Sequence, residues 1–244
     1  MERCDYVNDA LKLIQNTEGL TFGTDALLLA GYINSRLKRG CELGGGSGII
    51  SMLLLSREKL KSSVALEIQK DYADLIQKNA ELNGLEDRLF SVCADIREYK
   101  CEEEFDVVYS NPPYMKSDSG KPNENDKKNI ARHEIHGGIY DFCHAAKKLL
   151  KFGGTFAVVY RPDRLIDLIH SMRVCGIEPK RMTVVHADKE SEPSMVLVEG
   201  RLGGKASLLL TKPLIIYNDK SHKDYSDDMN YIMENGSFPS SYKR

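Results

Sequence analysis

The sequence predicts an α/β protein: a mostly parallel sheet with helices on both faces. Three observations carry this. Short apolar runs of strand character alternate with helical stretches from residue 39 to residue 186. A glycine cluster, Gly44-Gly45-Gly46-Ser47-Gly48, follows the first of these runs. The last two runs, 182–186 and 194–199, are separated only by a loop, so they pair as a hairpin and one of them runs antiparallel.

The elements follow in order. Residues 8–18 read as a helix lead-in and an irregular stretch, and Gly19-Leu20-Thr21-Phe22-Gly23 as a turn. Thr24 or Asp25 then caps a helix over 26–33. Strand 39–43 leads through the glycines into an apolar helix over 49–56. Strand 64–67 follows, then an amphipathic helix over 71–82 that Asn83-Gly84 stops. The third strand is 89–94 and the fourth 105–110. Residues 115–139 break the rhythm: they are polar and lack clear periodicity until about residue 130. A connection of that length is uncommon in a compact domain, and points to a lid, a binding loop or disorder. A helix over 140–151 turns Phe142, Ala145, Ala146, Leu149 and Leu150 inward, and Gly153-Gly154 ends it. The fifth strand is 155–160, and a helix over 163–175 precedes the final hairpin. The tail after Lys212 is polar, with a helical turn or two near 226–233. No internal repeat is visible.

Composition narrows the class. With 244 residues the chain is expected to form one domain with a full core. Hydrophobic residues make up 41% and charged residues 29%, which fits a soluble globular protein. No apolar run approaches the ~20 residues that span a bilayer, so no membrane partner is expected. The polar, acidic N-terminus does not read as a signal peptide. Six scattered cysteines without Cys-x-x-Cys spacing argue against zinc and against a disulfide framework, and favour a reducing, cytoplasmic setting. His133-Glu134-Ile135-His136 is one residue short of the spacing that sets two imidazoles on one helical face, so no metal is expected. Net charge is −2, but its distribution is uneven. Residues 1–110 carry 13 basic and 19 acidic side chains, whereas residues 111–212 carry 17 and 12. A polyanionic substrate gains from a positive field beside the reactive site.

Asn111-Pro112-Pro113-Tyr114 is the most telling motif. It ends the fourth strand abruptly, because two prolines lack N–H donors and fix φ. An amide, backbone carbonyls and an aromatic ring are thereby held at a strand's carboxyl end, where open α/β sheets bind ligands. Such a group suits gripping a planar –NH2 by its hydrogens while stacking on the plane behind it. By itself a Pro-Pro pair after a strand also reads as a plain turn.

A cofactor site is legible beside it. Gly44, Gly46 and Gly48 allow sharp turns and close approach of a ligand. Their spacing is not that of a dinucleotide fingerprint, and no Gly-Lys-Ser/Thr follows, so a P-loop is excluded. Glu42 before them would repel phosphate and suit a cation. Glu67 ends the second strand, placed to accept from both hydroxyls of a ribose. Asp95, after the third strand, is placed to accept from an adenine amino group. Together these point to an adenosine-bearing, phosphate-free, cationic cofactor, which S-adenosylmethionine fits.

On these motifs the chain resembles the Rossmann-like class I S-adenosylmethionine-dependent methyltransferases, over roughly residues 15–218. More narrowly it resembles the bacterial family that methylates the exocyclic nitrogen of the adenine 3′ of the anticodon in a valine tRNA. The narrower resemblance rests on Phe22-Gly23-Thr24-Asp25-Ala26-Leu27-Leu28-Leu29-Ala30, the glycine motif and Asn111–Tyr114. It is carried further by Ala131-Arg132-His133-Glu134, Arg161-Pro162-Asp163-Arg164-Leu165 and Met195-Val196-Leu197-Val198-Glu199-Gly200. The resemblance implies a seven-stranded sheet of order 3-2-1-4-5-7-6, with strand seven antiparallel. It implies that the segment 1–35 covers the cofactor, with Phe22 and Thr24 closing its pocket. Ile68 and Ile96, next to Glu67 and Asp95, are expected to line it. The segment 115–139 is expected to serve as the substrate loop and 213–244 as a polar tail.

The expected chemistry uses Asn111, Pro112, Pro113 and Tyr114. The Asn111 oxygen and the Pro112 carbonyl would accept the amine's two N–H bonds, and Tyr114 would stack on the base. Lys116, Lys121, Lys127, Lys128 and Arg132 are candidates for gripping tRNA phosphates. Tyr217, Tyr225 and Tyr231 could stack on RNA or pack the tail down. Three other readings stand beside this one. A glutamine-amide methyltransferase acting on a release factor would use the same motif, but the roughly 38 residues before the first predicted strand leave little room for its N-terminal helical substrate domain. A ribosomal RNA or DNA amino-methyltransferase would want a target-recognition domain that the sequence does not display. A non-catalytic adaptor would not need intact glycines, Glu67, Asp95 and Asn111.

Overall fold

Strand β3 (Leu37–Leu43) lies at the centre of the sheet, with Cys41, Glu42 and Leu43 buried. β4 (Leu60–Glu67) and β5 (Leu89–Cys93) follow on one side of it, and β6 (Phe105–Ser110) crosses to the other. All four run parallel. The carboxyl halves of β3, β4 and β6 are buried at every position, which fits strands covered on both faces. β7 (Leu150–Tyr160) pairs in parallel with β6, and β9 (Pro193–Leu202) lies antiparallel between β7 and β8 (Ile177–His186). The computed structural model describes residues 2–8, 11–16, 23–33, 36–113 and 138–243.

The order β5-β4-β3-β6-β7-β9-β8 is the one that the resemblance implied. The expected seven strands need one correction. Two-residue strands β10 (Leu209–Leu210) and β11 (Leu214–Ile215) add in parallel to the outer edge of β8, giving nine in this sheet among the described residues. Helices α1 (Thr24–Tyr32), α2 (Ile49–Ser56) and α3 (Lys70–Leu82) cover one face. Helices α4 (Ile139–Leu149) and α5 (Leu165–Val174) cover the other, packing Phe142, Leu168 and Met172 onto Val108, Phe156 and Val158.

Two local expectations were wrong. Residues near the N-terminus are not helical: β1 (Glu2–Asn8) and β2 (Leu11–Asn16) form an antiparallel hairpin. Leu11, Leu13 and Gln15 are buried while Lys12 is exposed, the period-two pattern of a half-buried strand. The backbone of β2 is satisfied by α3. Asn79 accepts from the Ile14 N–H at 2.7 Å and donates to the Ile14 carbonyl at 3.0 Å. One turn later, Asn83 accepts from Lys12 N–H at 2.9 Å and donates to its carbonyl at 2.8 Å. Two amides at i and i+4 thus cover an edge that would otherwise invite pairing. The second error concerns Gly153-Gly154, which do not end a helix. α4 stops at Leu149 and β7 starts at once. Gly153 has φ +78°, and the register slips between Phe105 and Val107, so the glycines form an irregularity in the strand.

The tail is less polar in effect than in composition. α6 (Asp227–Asn235) buries Met229 and Ile232, and Phe238 and Tyr242 sink beside Tyr32. Tyr217 stacks on His222 at 4.6 Å and on Tyr225 at 5.2 Å, holding the tail against itself. Two buried cations tie the end of α1 to the rest of the molecule. Lys59 donates to the carbonyls of Ala30, Gly31 and Ile33 at 2.7–3.1 Å, serving the unpaired carbonyls of the helix end. Arg181 donates to the Tyr32 carbonyl at 2.5 Å and the Glu199 carboxylate at 2.6 Å, and lies 3.8 Å from the Tyr32 ring centroid. Arg181→Met is therefore expected to destabilise the protein by about 3–5 kcal/mol, since Glu199 and a buried carbonyl lose their partner. Calorimetry should record a melting temperature lower by on the order of 10 °C; an unchanged value would show that the knot contributes nothing.

Candidate active site

The sheet reverses its order of addition at β3. β4 and β5 extend to one side and β6 to the other, so a crevice opens at the carboxyl ends of β3 and β6. Four adjacent strands deliver the predicted residues there. The glycine turn follows β3, Glu67 closes β4, Asp95 follows β5 and Asn111 follows β6. At the usual strand spacing this row is about 14 Å wide.

The glycine turn is built as its spacing suggested. Gly44, Gly46 and Gly48 have positive φ, whereas Gly45 does not. A Cβ on Gly46 would meet no atom within 4 Å, so that backbone faces open space. Gly48 is the N-cap of α2 with φ 80°, and a Cβ there would lie 3.0 Å from Ile76. Asn79 donates to the Ser47 carbonyl at 3.0 Å, which ties the turn to α3 and through it to the N-terminal hairpin.

Glu67 is buried and fully oriented. Its Oε2 accepts from the Gly46 N–H and its Oε1 from the Gln69 N–H, each at 3.0 Å. A carboxylate has about four acceptor positions, so capacity remains for a diol. Ile68 beside it is half-buried. Ile96 is buried in the second core, next to the end of β5. Asp95 is differently disposed from the expectation. The Arg97 guanidinium holds its carboxylate, with Nε at 2.9 and 3.0 Å from the two oxygens. A ligand amine at Asp95 has to share it with that cation.

Glu42 corrects the sequence reading more strongly. It does not stand at the mouth of the turn but lies behind it, 1% exposed. Its Oε2 accepts from the Ser51 N–H at 3.1 Å and Ser51 Oγ at 2.5 Å. Gly48 offers α2 no side-chain cap, so Glu42 supplies the acceptor for the helix's first turn from β3. Ser51 Oγ and Ser63 Oγ both reach the Tyr109 hydroxyl, at 2.8 and 2.6 Å. This network joins β3, α2, β4 and β6 beneath the site. Burial pushes the Glu42 carboxyl up to about 8, against the opposing pull of the Ser51 hydrogen bonds. Its folded-state value therefore exceeds the unfolded one, and its contribution to stability is full below about pH 4.5 and lost as pH rises through about 8. Glu42→Gln is expected to remove that loss. Urea unfolding from pH 5 to pH 8 should show a smaller decline in the variant than in the wild type, by a few kcal/mol at about pH 8. Equal slopes would contradict this.

Asn111 is half-buried between Ser110 and the buried Pro112. Ser110 Oγ donates to the Leu43 carbonyl at 2.6 Å, which locks the end of β6 to the end of β3. Asn111 Nδ2 donates to Asp25 Oδ2 at 2.6 Å. Asn111 Oδ1 is buried and has no hydrogen-bond partner among the described residues. A buried acceptor without a donor is costly, and in a crevice it marks where a ligand donor belongs. Asp25 is the residue that sequence reasoning placed in the right segment with the wrong task. It does not cap α1, whose N-cap is Gly23, but faces Asn111. Thr24 is exposed beside it and Pro113 is exposed beyond Pro112. Phe22, Tyr114, Lys116, Lys121, Lys127, Lys128, Arg132 and His133 to His136 lie outside the described residues. Among the described residues no cluster of His, Cys, Asp or Glu is arranged to hold a metal ion, and no helix is long and apolar enough to cross a membrane.

Known proteins resemble the chain in overall sequence and in fold. A tRNA1(Val) (adenine(37)-N6)-methyltransferase of Dyadobacter fermentans is 29% identical over 196 residues, covering 80% of this chain and 81% of its own length. One from Phocaeicola vulgatus is 28% identical over 177 residues, covering 72% and 74%. A crystal structure of a predicted O-methyltransferase from Agrobacterium tumefaciens superimposes with a TM-score of 0.70 at 22% identity, covering 88% of this chain and 98% of that one. Residues 17–167, which span the glycine turn, Glu67, Asp95 and Asn111, match the methyltransferase small domain family, and the chain belongs to that family.

Proposed function

We propose that this protein is an S-adenosylmethionine-dependent methyltransferase acting on the exocyclic N6 of an adenine in tRNA, the adenine 3′ of the anticodon of a valine tRNA. The observation that carries the reading is the buried Asn111 oxygen, unpartnered among the described residues, at the crevice between β3 and β6. The relatives named above carry the same activity in their names, which supports the choice of substrate.

The residues present fit the cofactor. The backbone of Gly46 faces open space, and Glu67 is held by two amides with acceptor capacity to spare for ribose hydroxyls. Ile68 and Ile96 would line the adenosine end and Asp95 its edge, with Thr24 and Phe22 as the residues to cover it. When bound, S-adenosylmethionine supplies a methyl group activated by a positively charged sulfur.

The chain's own task is to make a reluctant nitrogen available. The lone pair of an exocyclic adenine nitrogen is delocalised into the ring. Asn111 Oδ1 and the Pro112 carbonyl accept its two N–H bonds and draw it toward tetrahedral geometry. The lone pair is thereby freed and directed toward the glycine turn. Tyr114 stacks on the base, and Pro113 keeps the segment rigid. No general base is required, since the proton leaves after the new bond has formed. Positioning and electrostatics therefore supply the acceleration. A stacked anticodon-loop base must first be flipped out, at a cost of a few kcal/mol. Lys116, Lys127, Lys128 and Arg132 hold the flanking phosphates in this reading.

The test is incubation with methyl-labelled S-adenosylmethionine and separate RNA and protein fractions from bacterial cells lacking this modification. Label in tRNA supports the proposal. Label in a protein fraction, on a glutamine amide, would instead establish the other class of planar amine that the motif can grip.

A further inference from the structure

We infer that Asp25 is a positioning residue for Asn111: it sets which way round the Asn111 amide lies, so that an acceptor and not a donor meets the target amine. The inference rests on the amino-methylation proposed above. A primary amide is almost symmetric in shape, and a half-turn exchanges its C=O and NH2 ends. With the wrong end forward, NH2 would face NH2 and no hydrogen bond could form. Asp25 removes this ambiguity. Its carboxylate has no hydrogen to give, so it takes one from Asn111 Nδ2, at 2.6 Å. Turning the amide over would press two oxygens together at that distance. The orphaned Oδ1 on the far side is the direct consequence.

Asp25 is itself held in place. Its Oδ1 accepts from the Ala26 N–H at 2.9 Å, in the first turn of α1, where unpaired amides favour negative charge. Room for that oxygen depends on residue 23. A Cβ on Gly23 would stand 2.6 Å from Asp25 Oδ1. Gly23-Thr24-Asp25 therefore works as a unit: glycine for space, aspartate for polarity, and the helix start for support.

The decisive experiment compares D25N, N111D and the double variant D25N/N111D with the wild type, each checked for folding by circular dichroism. In D25N the two amides can pair either way round, so a large share of the Asn111 amides presents the wrong end, and kcat should fall about two- to tenfold while S-adenosylmethionine affinity stays within about twofold. N111D alone sets two carboxylates against each other and should also be impaired. In D25N/N111D the two groups trade places. The carboxylate at position 111 presents an oxygen whichever way it turns, and the amide at position 25 donates to it. Turnover should recover about two- to tenfold over D25N, toward the wild-type value. A merely structural role for Asp25 predicts no such rescue. D25N turning over like the wild type, or a double variant no better than D25N, would overturn the inference. If N111A also kept full activity, the reading of Asn111 itself would fall. The wild-type protein offers an independent check. One Asn111 side-chain proton should be shifted downfield in a nitrogen-15 spectrum and protected from exchange, and a freely exchanging amide would overturn the inference even if D25N does not fold.

Discussion

Asn111→Ala is expected to lower kcat by about 10²–10³-fold while leaving the dissociation constant for S-adenosylmethionine within about twofold of the wild type. The size follows from removing one preorganised hydrogen-bonding group from the reacting atom, a loss of about 3–4 kcal/mol of transition-state stabilisation. The selectivity follows from the layout of the site. Asn111 leaves the sheet at β6, while the glycine turn and Glu67 leave it at β3 and β4. The substitution touches neither the Gly46 amide nor the Glu67 carboxylate, which bond to each other. Stopped-flow turnover and calorimetric titration of the cofactor separate the two quantities. Parallel loss of both would mean that the Asn111 segment supports the cofactor and not the amine.

The second large effect runs the other way. Glu67→Ala is expected to weaken S-adenosylmethionine binding by about 100-fold or more, with a smaller change in kcat at saturating cofactor. Two losses combine. The amides of Gly46 and Gln69 lose their acceptor, so the turn that shapes the pocket loosens. The proposed bonds to the ribose hydroxyls also go, and hydrogen bonds to a charged group contribute about 1.5–3 kcal/mol each. Glu67→Gln keeps one carbonyl oxygen and should fall between, with affinity lower by about tenfold. Titration calorimetry reads this directly. An unaltered affinity in Glu67→Ala would remove Glu67 from the pocket.

The two variants together divide the site into halves that the sequence also divided. Strand alternation, the three alternate glycines and the acidic residue closing the next strand were legible because each reports a backbone requirement. Gly44, Gly46 and Gly48 adopt positive φ, in keeping with the sharp turn expected of them. Helix 49–56 coincides with α2, where a largely apolar run follows the glycine turn and ends at the charged Arg57-Glu58-Lys59. Side-chain direction was harder to read. Glu42 was assigned to the pocket mouth because it adjoins the glycines in sequence. The pleat of β3 instead sends it inward to Ser51, where burial raises its pKa. Asp25 was read, as the alternative to Thr24, as a helix cap because Asp favours helix starts, and only tertiary packing brings it to Asn111, 86 positions away in the sequence.

The N-terminal hairpin was missed for a related reason. β1 carries Arg3, Cys4, Asp5 and Tyr6 with no apolar stripe, so its pattern gives little signal. What supports the hairpin is remote: Asn79 and Asn83 on α3 complete the hydrogen bonding of β2. In sequence Asn83 reads, with Gly84, only as the stop of the helix, and Asn79 carries no signal of its own. The tail misled in the opposite sense. Its composition is polar, yet Phe238 and Tyr242 are deeply buried against Tyr32 and around Arg181. A few aromatic anchors decide where such a segment sits, and counting charges does not reveal them.

The destination of the methyl group decides the central claim. Purified protein, S-adenosylmethionine and an unmodified valine tRNA transcript should yield N6-methyladenosine at the adenine 3′ of the anticodon, identified by nucleoside mass spectrometry of the isolated loop. The grip of Asn111 and Pro112 requires two hydrogens on the accepting nitrogen, which only the exocyclic amine possesses. Methylation at a ring nitrogen of the same base, which has no hydrogen to hold, would contradict it.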